Sequence, residues 1–132
     1  QTLRAVVDWS WDLLDDAERA VLRRLSVFAG GCSLAAAEEV CALPEPADGV
    51  VVDSPDVAAL LGSLVDKSLV VAAPGDDEEM RYRLLETVGE YAAERLDEAG
   101  ERDAVERRHL VHYRELARLT GPRMRGVGQR EA

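Results

Sequence analysis

Apolar residues recur at helical spacing through most of this chain. Leu3, Val6, Val7, Ser10, Leu13 and Leu14 share a face over Thr2 to Leu14, with Trp9 and Trp11 flanking it. That spacing predicts a first helix buried along the stripe. Asp15, with Glu18 three residues on, has the pattern of a capping box. The helix it opens points Val21, Leu22, Leu25 and Phe28 inward, and Gly30-Gly31 is predicted to stop it, because glycine takes the left-handed C-cap conformation cheaply. Ser33 is predicted to cap a third helix that buries Leu34, Ala37 and Cys41.

Pro44, Pro46 and Gly49 mark a loop, and the apolar run Val50 to Val52 predicts a first short strand. Ser54-Pro55 reads as an N-cap followed by proline at the first helical position. The fourth helix places Val57, Leu60, Leu61, Leu64 and Val65 on one side. The period then changes from 3.6 to 2. Leu69 to Ala73 predicts a strand, an acidic turn follows, and Met80, Tyr82 and Leu84 alternate with Arg81 and Arg83 in a returning strand. Thr87 and Glu90 form a second capping-box pattern, opening a helix with Val88, Tyr91, Ala92 and Leu96 inward and Gly100 at its end. A last helix, about Arg102 to Leu119, buries Val105, His109, Tyr113, Leu116 and Ala117, and Gly121-Pro122 stops it.

Over Val57 to Ala93 the order is therefore helix, hairpin, helix. The predicted fold is mainly α: a winged helix, that is, a helix-turn-helix with a C-terminal β-hairpin, plus additional C-terminal helices. Residues 1–99 form the winged-helix domain, 100–120 a further helical region, and 121–132 a linker or disordered tail.

Charge changes the picture. Winged helices commonly bind DNA, but this chain carries a formal net charge of −10. Phosphate neutralisation supplies much of the affinity for DNA, so the elements that would touch it need Lys and Arg. The fourth helix offers Lys67 against Asp56 and Asp66, and the hairpin offers Arg81 and Arg83 against Asp76, Asp77, Glu78 and Glu79. Both are net negative, which favours protein contacts over direct nucleic-acid binding. Anionic membrane is disfavoured by the same field.

No apolar run approaches the roughly 20 residues that span a bilayer. Arg4 and Asp8 interrupt the first helix, so it does not read as a signal peptide. The expected setting is cytoplasmic, within a longer protein. Cys32 and Cys41 lack metal-ligand partners and read as buried thiols. Aromatic residues make up only 5% of the chain, so the core must be aliphatic.

Candidate chemistry is sparse. Gly30-Gly31 is the only glycine pair, and no Lys-Ser/Thr motif follows it to make a phosphate loop. Ser10, Ser26 and Ser33 have no histidine nearby in sequence. Glu106, His109 and His112 share a helix edge but lack a second source of metal ligands. Asp76 to Glu79 lacks the ligand spacing and glycine of a calcium loop. The expectation is a non-enzyme with no catalytic, cofactor-binding or metal-binding residues.

The segments TLRAVVDWSWDLLDDAERAVLRRLSVFAGGCSLAAAEEVC, LVDKSLV and YRLLETVGEYAAERL resemble the winged-helix module of bacterial STAND-class ATPase transcriptional regulators, of the AfsR-like and large LuxR-type kinds. The resemblance covers about Thr2 to Leu96, and ERRHLVHYRELA looks like the first helix of the tetratricopeptide-like repeats that follow it in that family. It implies a relay domain whose partners are its own ATPase core and its helical repeats, with ATP or ADP and Mg held elsewhere in the parent protein. In relatives of this class a Met-His-Asp motif joins the second wing strand to the next helix, and its histidine contacts ADP phosphate. The matching positions are Leu84, Leu85 and Glu86. Leucine cannot donate to phosphate, so Leu85 is expected in the core or at a domain interface. Glu86 is either a polar interface residue or an acid favoured by the helix dipole. The alternative function is a DNA-binding winged-helix transcription factor domain.

Overall fold

The computed structural model describes residues 2–43, 49, 51–75 and 79–131, with side chains through 118. Its elements are α1 (Leu3–Asp12), α2 (Asp16–Leu25), β1 (Cys32–Ser33), α3 (Leu34–Cys41), α4 (Ser54–Asp66), β2 (Val70–Pro74), β3 (Met80–Leu84), α5 (Glu86–Ala99) and α6 (Arg102–Glu131). From α2 to β3 this is the helix, strand, helix, helix, hairpin order of a winged helix.

Local chemistry explains most boundaries. The Asp15 carboxylate accepts from the Glu18 amide, and the Glu18 carboxylate accepts from the Asp15 amide, completing the predicted capping box. The Ser33 hydroxyl accepts from the Ala36 amide and caps α3 as expected. Gly100, at φ 73°, ends α5 as expected.

Other boundaries correct the sequence reading. α2 ends at Leu25, before the glycines. Gly31 serves the turn into β1 instead, at φ 91°, where a Cβ would lie 2.8 Å from the Tyr82 carbonyl oxygen. The first strand is Cys32–Ser33, paired antiparallel with Tyr82 and Arg81 of β3. Of the expected strand Val50 to Val52, Val50 lies outside the described residues, and Val51 and Val52 are not in a strand. A two-residue strand has no period to read, so only its partner reveals it. α5 begins at Glu86 with Leu85 as N-cap and no side-chain cap, so Thr87 lies inside the helix. One extended residue separates β3 from α5, and that tight junction, rather than a threonine cap, sets the helix start.

The sheet order is β1-β3-β2, with Ala72 and Cys32 on either side of Tyr82. α2 is central and packs against α3, α4 and α5. Its Val21, Leu22 and Leu25 join Val57, Leu61 and Leu64 of α4 and Ala92 and Leu96 of α5 in a core that is mostly aliphatic but also takes in Trp11, Phe28 and Tyr91. Cys32 and Cys41 are buried free thiols. Burial pushes the Cys32 thiol up to about 12 and raises that of Cys41 as well, so both are inert packing groups.

α6 starts inside the core. Val105 and Glu101, on and just before its first turns, are buried. The expected division at residues 99 and 100 thus falls beside a core carboxylate. Tyr113, Leu116 and Ala117, expected inward, are exposed. The helix also runs through Gly121-Pro122 to Glu131, where the sequence predicted a stop and a linker or disordered tail. A proline removes one helical hydrogen bond and crowds the carbonyl four residues back, a cost of about 3 kcal/mol. A long helix nucleated on a packed face can carry one such break.

Candidate interdomain face

α1 is where the structure departs most from the amphipathic reading. Val7 and Trp11 are buried, and Leu14 follows them inward. Trp11 meets the Tyr91 ring edge-on at 5.8 Å, and the Arg95 guanidinium lies 4.7 Å from the Tyr91 ring and 5.8 Å from that of Trp11. Tyr91 donates to Asp8, and Arg95 donates to the Tyr91 hydroxyl. These aromatic and cationic contacts choose the Trp11 side of the helix. The remainder of the predicted stripe faces outward: Leu3 is 64% exposed, Val6 44% and Leu13 68%, with Trp9 at 67% beside them. The sequence did hold the signal. Two overlapping apolar stripes make α1 apolar over more of its girth than a one-sided core helix needs.

Leu85 and Glu86 stand at the junction of β3 and α5. Leu85 is extended and 45% exposed, so it is not a core residue; Glu86 is exposed on the first turn of α5. Leu84 before them packs against the core. The junction therefore presents an apolar and an acidic side chain together on the surface.

The surface of α4 is plain. Ser54, Pro55, Asp56, Ala58, Ala59, Gly62 and Asp66 are exposed, while Val57, Leu61 and Leu64 are buried. Lys67, just past the helix, is held by Glu18, whose Oε2 accepts from Lys67 Nζ at 2.6 Å and from the Ser63 hydroxyl. Burial alone would raise the Glu18 carboxyl, but the Lys67 and Ser63 hydrogen bonds and its place in the capping box lower it to about 2. Arg81 and Arg83 are exposed on β3. The acidic turn at 76–78, and with it most of the run weighed for calcium, lies outside the described residues.

Two arginines and one carboxylate tie α6 to α2. Glu101 accepts from Arg23 Nε at 3.0 Å and from Arg24 Nε and Nη2 at 3.0 and 2.8 Å, and Arg24 Nη1 donates to the Cys41 carbonyl at 2.9 Å. Burial works to raise the Glu101 carboxyl, but the two guanidiniums hold it below its ordinary value. Further along α6, His112 Nδ1 lies 3.1 Å from Glu39, and Arg108 donates to the Glu39 carbonyl. His109 instead stacks edge-on against Phe28 at 5.1 Å, and burial depresses its pKa. Both histidine rings also meet Tyr113, at 4.8 Å for His109 and 5.1 Å for His112. Among the described residues no group of three or more His, Cys, Asp or Glu is placed to hold a metal ion. A shallow cleft of about 280 Å³ beside Trp11 contains Arg19, Arg23 and Arg95. Arg19 is spent on the Trp11 and Asp12 carbonyls, and Arg95 on Asp8, Tyr91 and Glu98.

The strand order and the helix preceding the hairpin agree with the match of residues 14–97 to the winged helix-turn-helix domain family. The chain belongs to the winged helix-turn-helix family. It is 49% identical over 119 residues to a Mycobacterium tuberculosis protein provisionally named HTH-type transcriptional regulator Rv0890c, covering 89% of this chain and 12% of that protein. The Mycobacterium bovis protein of the same provisional description, Mb0914c, matches equally. A second M. tuberculosis protein, the uncharacterized Rv0894, is 43% identical over 115 residues, covering 87% of this chain and 28% of that protein. The chain thus spans about an eighth of the length of the first relatives and about a quarter of the last. No solved structure matches it significantly. Among the described residues, no helix of this winged helix-turn-helix chain is long and apolar enough to cross a membrane.

Proposed function

We propose that this chain is a non-catalytic interaction and relay domain of a STAND-class ATPase transcriptional regulator. It couples the nucleotide state of an adjacent ATPase core to downstream helical repeats. The observation that carries this reading is the surface of α4, the helix that would enter the major groove. Its exposed positions are Ser54, Pro55, Asp56, Ala58, Ala59, Gly62 and Asp66, none of which makes the bidentate base-edge contacts that Arg, Asn or Gln make. Lys67, the cation just past its last residue, is engaged by Glu18. The smooth small-residue surface suits close packing against protein. Nucleotide and Mg belong to the parent core in this reading, with Leu85 and Glu86 facing that core.

The second reading is direct DNA binding. It is favoured by Arg81 and Arg83, exposed on β3 where a wing meets backbone phosphate, and by the names of the relatives. Fluorescence anisotropy with mixed-sequence duplex DNA at low salt separates the two. The relay reading expects no binding tighter than about 10⁻⁴ M, at the weak end of non-specific affinity. Tight, salt-sensitive binding that Arg81→Ala and Arg83→Ala abolish would establish the DNA reading instead.

A further inference from the structure

We propose that the outward stripe of α1, formed by Leu3, Val6, Trp9 and Leu13, is the docking face for an adjoining domain of the same polypeptide. The partner domain's matching surface is apolar, with Arg or Lys at its rim. The four residues follow one another at three- and four-residue spacing, so Leu3, Val6 and Trp9 line one side of a ten-residue helix about 15 Å long and Leu13, its C-cap, continues the line. Single exposed leucines are ordinary on a soluble protein. A tryptophan and three aliphatic side chains in one line, each at least 44% exposed, form a contiguous patch that marks a contact surface. The other side of α1 is already sealed against α5 by Val7 and Trp11, so the helix is built to be covered on both sides.

Charge and chain length select the occupant. A second copy is disfavoured, because each copy carries a net charge of −10 and exposed Asp12, Asp15 and Asp16 border the Leu13 end of the stripe. Nucleic acid is disfavoured by the same acids and by the absence of any donor on Leu3, Val6 or Leu13. A domain on the same polypeptide escapes the first objection, since tethering supplies it at an effective concentration of about millimolar without any free-energy demand on the stripe alone. The relatives carry the matched region as 12% or 28% of their length, so polypeptide to supply such a domain accompanies it there. The three aspartates set the sign of the partner's rim. This inference rests on one part of the preceding reading, that the chain works as a unit of a longer protein, and it requires no nucleotide.

The test places p-benzoylphenylalanine at Leu13, and separately at Val6, in the full-length parent protein, with cross-linked peptides mapped after irradiation. The expected result is an intramolecular cross-link to a segment outside these 132 residues, carrying apolar residues with Arg or Lys beside them. Trp9→Asp should abolish that cross-link while shifting the Tm of the 132-residue chain by no more than about 2 °C, since the side chain is exposed. Cross-links confined to this chain, cross-links to a second copy, or none at all would overturn the proposal. Bound nucleotide is measured on the same preparation. A parent that cross-links but binds no ADP removes the relay reading and leaves the docking face standing. A parent that binds ADP without cross-linking removes the docking face and leaves the relay.

Discussion

At the scale of single residues, Ser68 shows what a tight fold imposes on its chain. It sits at φ 64°, in the left-handed region that favours glycine, directly after α4. The Leu69 amide donates to the Leu64 carbonyl and the Ser68 amide to that of Val65, both at 3.0 Å, which is a Schellman motif. Leu64 and Leu69 are buried together and hold the turn. A serine there carries the left-handed penalty that glycine escapes. Ser68→Gly should therefore stabilise the chain by about 0.5–1 kcal/mol, less than the full penalty because glycine also loosens the unfolded state. A higher urea midpoint at unchanged m-value checks it. Glu101 is the opposite case, a residue whose loss strands its partners. Glu101→Ala leaves Arg24 fully buried without its carboxylate and should cost about 3–5 kcal/mol, read from the same denaturation curves. Neither residue was legible in sequence. Serine carries no left-handed signature, and Arg24 and Glu101 are 77 positions apart.

At the scale of elements, two carboxylates and one histidine decide how helices hold together as pH changes. Glu18 joins the start of α2 to the end of α4, and Glu101 joins α2 to the start of α6. Both carboxyls are lowered in the fold, so their contributions are complete above the unfolded value near 4.5 and are lost on acidification, for Glu18 down to about pH 2. His109, between α6 and Phe28, is also depressed, but its neutral form is the one the fold accepts. Below its ordinary value of 6.5 the unfolded chain takes up a proton that the folded chain resists, so stability falls as pH drops through 6.5. Urea denaturation at pH 7, 5.5 and 3.5 should show two successive losses. His109→Leu should flatten the first and Glu18→Gln should reduce the second. The capping half of Glu18's role was readable from Asp15 and its spacing. Its hold on Ser63 and Lys67 was not, because those partners arrive from a different helix.

At the scale of the whole molecule, a winged helix-turn-helix unit presents a plain α4 surface, an exposed Leu85-Glu86 junction and an apolar stripe on α1. If Glu86 faces the ATPase core of the proposed parent and helps hold its closed state, Glu86→Lys in that longer protein should lower ADP retention and raise basal ATP-driven oligomerisation. Light scattering and bound-nucleotide content measure both, and no change in either removes Glu86 from the mechanism. The sequence by itself determined what is written in local spacing: the helices and their caps at Asp15 and Ser33, the hairpin strands from the alternation around Tyr82, the aliphatic part of the core and the buried thiols. These follow because a helix face or a strand face is set by residues two to four positions apart. Only the tertiary structure decided which of two apolar stripes on α1 turns inward, where the two-residue β1 finds its partner, and how Glu101 gathers two arginines. Each depends on a group brought in from far along the chain. Tyr91 and Arg95 pull Trp11 inward and leave Trp9, two residues earlier, to the surface.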